Sequence, residues 1–189
     1  MNLNLDQLDS QKDEFLIYVA GKENNREAFE ILMKRYYKKI FNYLNKILKD
    51  ENEVEDIVQE TFLKVYLNKK RFIPFNSFSS WLYRIATNQA LKKIRKNKIQ
   101  NLFMFKFIEK LKLSNYNQNS ILNPYEYIHI LKPKEKISII LTKYYGFSYE
   151  ETSRMINASV GATKTYVFRG MEKLKKIIKQ EEEKWKTKG

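Results

Sequence analysis

The amino-acid sequence predicts an all-α protein made of two small helical domains joined by a linker. Three observations carry this. Apolar residues recur at spacings of three and four through most of the 189 residues. Glycine and proline are scarce, at 5 and 3, which disfavours a turn-rich β protein. Residues 114–120, Ser-Asn-Tyr-Asn-Gln-Asn-Ser, are polar and carry no period, so they divide the periodic halves.

Residues 1–12 are polar and are expected to form a frayed tail. Residues 13–20 form a short helix with Phe15, Leu16 and Val19 inward, stopped at Gly21. A long helix over 25–49 buries Phe29, Leu32, Tyr36, Ile40, Tyr43, Leu44 and Ile47, with Lys34, Arg35, Lys38 and Lys39 largely off that stripe. A third helix over 53–68 buries Val54, Ile57, Val58, Thr61, Phe62 and Val65. Pro74 keeps residue 73 out of a helix, so 69–76 reads as a loop. The next helix carries Phe78, Trp81, Leu82, Ile85 and Ala86 on one stripe, has Ser77, Ser79 and Ser80 as candidate N-caps, and reaches about residue 97.

Residues 101–123 are the expected linker, helical at the start, and the first domain is expected over 13–100. The second domain, 124–181, opens with a short helix over 125–131. Pro133 starts the next, with Ile137, Ile140, Leu141 and Tyr144 as its stripe and Gly146 as its C-terminal cap. Ser148-Tyr-Glu-Glu151 is a capping box opening a helix to about residue 156. Asn157-Ala-Ser159 is a tight turn, and the last helix runs over about 160–181 with Val167, Leu174 and Ile177 inward. Residues 182–189 read as a solvated tail.

Composition narrows the function. The absence of cysteine removes disulfides, thiolate metal sites and cysteine nucleophiles. One histidine, His129, cannot build a multi-histidine metal site. No apolar run approaches the roughly 20 residues of a membrane span, and the first residues lack the pattern of a signal peptide, so a cytoplasmic protein is expected. The net charge of +14 points to a polyanionic partner, nucleic acid ahead of a membrane surface. The sequence shows no paired metal-binding carboxylates, no glycine-rich phosphate loop and no nucleophile beside a base, so neither enzymatic activity nor a cofactor is expected.

Three stretches carry chemistry. Phe75-Asn-Ser-Phe-Ser-Ser-Trp81 places aromatics beside short polar groups and runs into the basic segment Lys92-Lys-Ile-Arg95. It reads either as a core helix with a solvated basic end or as a surface for unstacked bases and phosphates. Glu51, Glu53, Glu55, Asp56 and Glu60 either favour the dipole of the third helix or form a docking face for a basic protein. Two helices joined by the turn at 157–159, the second basic through Lys164, Arg169, Lys173, Lys175 and Lys176, read as a helix-turn-helix.

Together the halves resemble the extracytoplasmic-function (ECF) type sigma factors of bacterial RNA polymerase, over about residues 13–180. Glu55-Asp-Ile-Val-Gln-Glu-Thr-Phe62 is similar to the family's core-binding helix, and Phe78-Ser-Ser-Trp-Leu-Tyr-Arg-Ile-Ala-Thr-Asn88 to its promoter-melting segment. Pro133 with Lys136, Tyr144-Tyr-Gly-Phe-Ser-Tyr-Glu-Glu151, Ser159-Val-Gly161 and Lys164 match its helix-turn-helix domain. The resemblance implies that Asp56, Gln59 and Glu60 face the polymerase clamp coiled coil. It implies that the loop Phe75, Asn76, Ser77, Ser79 and Ser80, with Asn88, holds a base flipped from the −10 element, while Arg84, Lys93 and Arg95 follow the phosphates. Lys164, Thr165, Tyr166, Phe168 and Arg169 then belong to the helix that enters the −35 major groove. The implied partners are core RNA polymerase through its clamp coiled coil and flap, promoter DNA and, as a candidate third, an anti-sigma protein, with no membrane.

The chain departs from the family pattern at Lys92, where an acidic residue is common, at Tyr166, where arginine is common, and at Thr163, where a β-branched apolar residue is common. These departures are compatible with a divergent branch that switches on toxin or bacteriocin genes. The alternative function is a helix-turn-helix regulator that binds operator DNA independently of polymerase; the acidic face around Asp56 discriminates the two.

Overall fold

The computed structural model describes residues 5–48, 50–73, 77–108 and 127–186. All regular structure in them is helical. The elements are α1 (Leu5–Asp9), α2 (Asp13–Lys22), α3 (Arg26–Ile47), α4 (Glu51–Asn68), a 3₁₀ turn (Lys69–Arg71), α5 (Phe78–Ile108), a second 3₁₀ turn (Ile128–Ile130), α6 (Pro133–Ile139), α7 (Tyr149–Met155) and α8 (Val160–Lys186).

The first domain is built on α3. All seven residues of its expected stripe are buried, and so are all six of the expected stripe on α4. Asn25 and Asp50 start these helices, each side chain accepting backbone N–H groups left open by the first turn. α5 crosses the pair with Phe78, Leu82, Tyr83, Ala86, Ala90 and Leu91 buried. Of the three candidate caps, Ser77 serves: its hydroxyl accepts the Ser80 N–H at 3.3 Å.

Several expectations change. Residues 5–9 form a helical turn instead of fraying, because Leu8 is buried and Arg35 donates to the carbonyls of Asp9 and Gln11 and to Asp13. On α2, Phe15 is exposed; Leu16, Ile17, Val19 and Ala20 make the buried face. Gly21 lies inside α2 and does not end it. It permits close approach, since a Cβ there would sit 2.8 Å from the Lys69 carbonyl oxygen. Backbone on both sides cannot yield cheaply, so Gly21→Ala is expected to lose about 1–3 kcal/mol of stability, read as a lower urea midpoint. α5 continues to Ile108, beyond the expected end near residue 97.

In the second domain, Pro133 occupies the first turn of α6, and Ile137, Ile140 and Leu141 are buried. Ile140–Tyr144 widens into a π turn, closed by the Tyr145 N–H on the Ile140 carbonyl at 3.1 Å. The wider turn shifts the following side chains around the axis, so Tyr144 leaves the expected stripe and is exposed. Gly146 takes φ +72° and lets Phe147 N–H return to Leu141 O at 3.0 Å. Ser148 and Glu151 form the capping box of α7. Asn157 takes φ 51° in the turn, and Ser159 caps α8 through the Ala162 N–H. α8 runs to Lys186, past the expected end, with Val167 buried and Leu174 and Ile177 only half-buried.

Candidate nucleic-acid interface

Asp56, Gln59 and Glu60 are exposed on one face of α4, at spacings of three and four. Asp56 makes no ion pair among the described residues. Glu60 is less free: it accepts the Gln89 amide, and Lys64 donates to the Gln89 oxygen at 2.6 Å. Gln89, buried on α5, thus ties the acidic face of α4 to α5. The residue roles implied by resemblance do not include it; a polar residue seven positions after Leu82, on the buried side, was its only signal.

Phe75 and Asn76 lie outside the described residues. Beyond them, two serines of the loop are engaged. Ser77 caps α5, and Ser80 Oγ donates to Glu151 at 2.6 Å. Arg84, Asn88 and Arg95 are exposed, and spacings of four and eleven put them along one line of the helix. Lys93 is off that line; it pairs with Glu53 at 3.3 Å. Trp81 is half-buried against Phe72 and Phe78, at 5.4 and 6.2 Å between ring centres, so it packs and does not stand out as a platform.

On α8, Lys164, Thr165, Phe168 and Arg169 are exposed, and Tyr166 is half-buried. Phe168 is 68% exposed, which leaves a large ring without intramolecular cover. The departure at Thr163 is absorbed: the residue is fully buried, and its hydroxyl donates to the Ser159 carbonyl at 2.9 Å. Glu135 is buried and meets Lys173 at 2.8 Å, which anchors α8 to α6.

The two arrays face each other. Asn88, Leu91 and Arg95 of α5 share a cleft of about 600 Å³ with Lys132, Lys134, Tyr166 and Arg169. Beside it, Tyr43 and Tyr83 pack against Tyr145 and Phe147. Burial, then the neighbouring Tyr144, push the Tyr145 phenol up to about 12, so it stays neutral. Burial alone would raise the Glu151 pKa. The hydrogen bonds from Ser80 and Ser148, with the charge of Arg154, outweigh it and hold the carboxyl below its ordinary 4.5. A lowered folded value stabilises above the ordinary pKa, and that stabilisation is lost as pH falls through the folded value. The stability advantage over Glu151→Gln should therefore shrink below about pH 4.5, measured by urea unfolding at stepped pH.

A helix-turn-helix, a second cationic row and a separate acidic face, on described residues whose regular structure is all helical, define a transcription factor that meets both DNA and a protein. Residues 32–99 match the family described as Sigma-70 region 2, and residues 125–174 match Sigma-70, region 4. The chain is 31% identical over 183 residues to the ECF RNA polymerase sigma factor SigW of Bacillus subtilis, covering 84% of this chain and 92% of that one. It is 26% identical to the ECF RNA polymerase sigma-E factor of Haemophilus influenzae, over 83% of this chain and 90% of that one. The chain belongs to the ECF RNA polymerase sigma factors. Its fold matches CnrH, solved in complex with the cytosolic domain of CnrY, at TM-score 0.67 and 23% identity over 89% of this chain and 97% of that one. It also matches the sigma factor RpoE of Bartonella quintana, solved with the anti-sigma factor NepR, at TM-score 0.65 and 19% identity over 80% and 96%.

Proposed function

We propose that this sigma factor docks on core RNA polymerase through Asp56, Gln59 and Glu60, recognises a two-part promoter and promotes its opening. The observation that carries the reading is the exposed row Arg84, Asn88 and Arg95 on α5, tied through Gln89 to the acidic face of α4. One helix pair then holds the polymerase on one side and a single strand on the other. Asn88 and the loop over 75–80 take a flipped base. Flipping costs a few kcal/mol, and stacking with amide hydrogen bonds offsets it. Arg84 and Arg95 follow the phosphates; Lys93 joins them only by leaving Glu53. Lys164, Thr165, Tyr166, Phe168 and Arg169 meet the −35 groove.

The working division is 13–100 for polymerase and −10 contacts, 101–123 as linker and 124–181 for −35 contacts, with 1–12 and 182–189 as tails. The family matches over 32–99 and 125–174 support it. Burial of Leu8 joins residues 5–9 to the first unit. The chain acts in the cytoplasm and supplies no catalytic group. No described helix is long and apolar enough to cross a membrane. An anti-sigma protein is a third candidate partner, because the matched sigma factor RpoE was solved with the anti-sigma factor NepR.

Gel shifts with and without core polymerase test the reading. The chain alone should bind promoter DNA weakly, and core polymerase should convert this to tight binding, because it positions both domains at once. Tight operator binding by the chain alone, with no transcription, would favour the independent regulator. Arg169→Ala is expected to cost about 1–3 kcal/mol with relaxed choice at one base pair if it reads a base. A purely phosphate contact would weaken all sequences alike and reduce the salt slope by about 0.9. Binding titrations across −35 variants and salt separate the two.

A further inference from the structure

Gln89 is only 5% exposed on α5, yet both ends of its amide have a partner on α4. Its oxygen accepts Lys64 Nζ at 2.6 Å, and its NH2 group donates to Glu60 Oε2. The partners fix that orientation. A lysine ammonium only donates, so the amide oxygen faces Lys64; an ionised carboxylate only accepts, so the NH2 group faces Glu60. Glu60 is exposed, beside Gln59 and four positions after Asp56 on the proposed polymerase face. A buried amide thus holds one oxygen of an exposed carboxylate.

The residue before Asn88 is anchored as well. Thr87 is fully buried, and its hydroxyl is hydrogen-bonded to the Tyr43 hydroxyl of α3 at 2.6 Å. Successive side chains on an α-helix turn by about 100°, so Thr87 and Gln89 flank Asn88 on its two sides. Asn88 is exposed between them. One flank is tied to α3 and the other to α4. The apolar contacts at this level of α5 come from Ala86, Ala90 and Leu91. Such contacts seat the helix but are non-directional. The directed hydrogen bonds of Thr87 and Gln89 set its rotation. The next tie between α4 and α5 is at Glu53, which accepts the Asn97 amide at 3.0 and 3.1 Å and pairs with Lys93 at 3.3 Å. Loss of the Gln89 tie therefore leaves α5 docked and releases its rotation locally at Asn88.

We propose that Gln89 is a positioning residue for both polymerase docking and promoter opening: it holds Glu60 in one orientation for a basic group of the polymerase, and it holds Asn88 in register for the flipped base. This proposal rests on the sigma-factor reading, which supplies the roles of Glu60 and Asn88. A side chain ordered before docking loses less freedom on binding. Gln89→Glu is the informative change. It keeps the size of the side chain but sets a second carboxylate against Glu60, so the tie becomes a repulsion. Adding Glu60→Gln restores the tie in reverse, with the amide at position 60 donating to the carboxylate at position 89 and Lys64 still paired. The negative charge has then left the docking face, so the double variant separates the two roles.

Core-polymerase affinity and promoter opening are measured separately for the unmodified chain, Gln89→Glu, Glu60→Gln and the double variant. Opening is read as permanganate reactivity of unpaired thymines at a promoter taken from the chain-dependent start sites. Preformed, saturating holoenzyme removes differences in affinity and in folded fraction from that readout. Gln89→Glu should weaken polymerase binding about threefold or more and slow opening about tenfold, as a small misplacement of a positioned group does. Glu60→Gln should weaken binding to a similar degree but open within about twofold of the unmodified chain, because an amide oxygen still accepts from Gln89. The double variant should bind as weakly as Glu60→Gln and recover opening to within about threefold of the unmodified chain. In an Asn88→Ala background, Gln89→Glu should change opening by less than about twofold, because its effect passes through Asn88. Unchanged polymerase affinity or normal opening in Gln89→Glu, no recovery of opening in the double variant, or an equal loss in the Asn88→Ala background would each overturn the positioning role. An unmodified chain that opens no promoter with core polymerase would instead overturn the sigma-factor reading, and this role with it.

Discussion

Asp56→Lys is expected to weaken core-polymerase binding by roughly 30-fold or more and to cut polymerase-dependent transcription correspondingly. Reversing a charge at a complementary protein interface typically costs about 2–5 kcal/mol, and each 1.4 kcal/mol is a factor of ten. Asp56 is the informative position on this face. It is exposed and forms no ion pair among the described residues, so its loss removes nothing from the fold. It also lies beyond the first turn of α4, where the helix dipole has faded. Glu60→Lys would be ambiguous, because Glu60 holds the Gln89 amide and through it α5. Pull-down of core polymerase, with urea unfolding as a control for stability, checks the result. An independent operator binder would be indifferent to Asp56.

Phe78→Ala is expected to destabilise the first domain by about 3–5 kcal/mol, a large part of the 5–15 kcal/mol that holds a typical domain together. Phe78 is fully buried. Its ring lies edge-on to Tyr36 at 5.3 Å and to Phe72 at 6.2 Å, and its backbone N–H donates to Glu14 at 3.0 Å. The side chain therefore sets where α5 begins and where Ser77, Ser79 and Ser80 stand. Trp81→Ala should cost less, since Trp81 is half-exposed. Urea denaturation should show a lower midpoint for Phe78→Ala at nearly constant slope, and promoter melting should fall as Ser77, Ser79 and Ser80 lose their positions.

The regular helices were legible because their information is local. The stripes of α3 and α4 follow from spacing alone, and Pro133, Ser148 and Ser159 mark starts through backbone chemistry that needs no tertiary partner. The missed features are those that long-range contact decides. Leu8 offers too little periodicity to announce a helix, and that turn is held by contact with α3, whose Arg35 donates to its carbonyls. Gly21 looked like a stop because its close approach to Lys69, 48 positions later, is invisible to a local window. Tyr144 was placed inward by counting at 3.6 residues per turn, and a π turn broke the count.

The candidate site was legible by type more than by partnership. Exposed Arg84, Asn88 and Arg95 could be aligned from spacing. Nothing in the sequence paired Lys93 with Glu53, Ser80 with Glu151 or Gln89 with Glu60. Those pairings decide which polar groups are available to DNA and which must first be released.

A sigma factor of this kind should direct RNA polymerase to start at two-part promoters. Mapping the 5′ ends of transcripts made from genomic DNA by purified core polymerase, with the chain, with its Asp56→Lys variant and without either, tests it most directly. Discrete new start sites that share upstream elements near −10 and −35 should appear with the unmodified chain, be strongly reduced with Asp56→Lys and be absent without either. Start sites that do not depend on the chain, or chain-dependent starts that Asp56→Lys leaves unchanged, would contradict it.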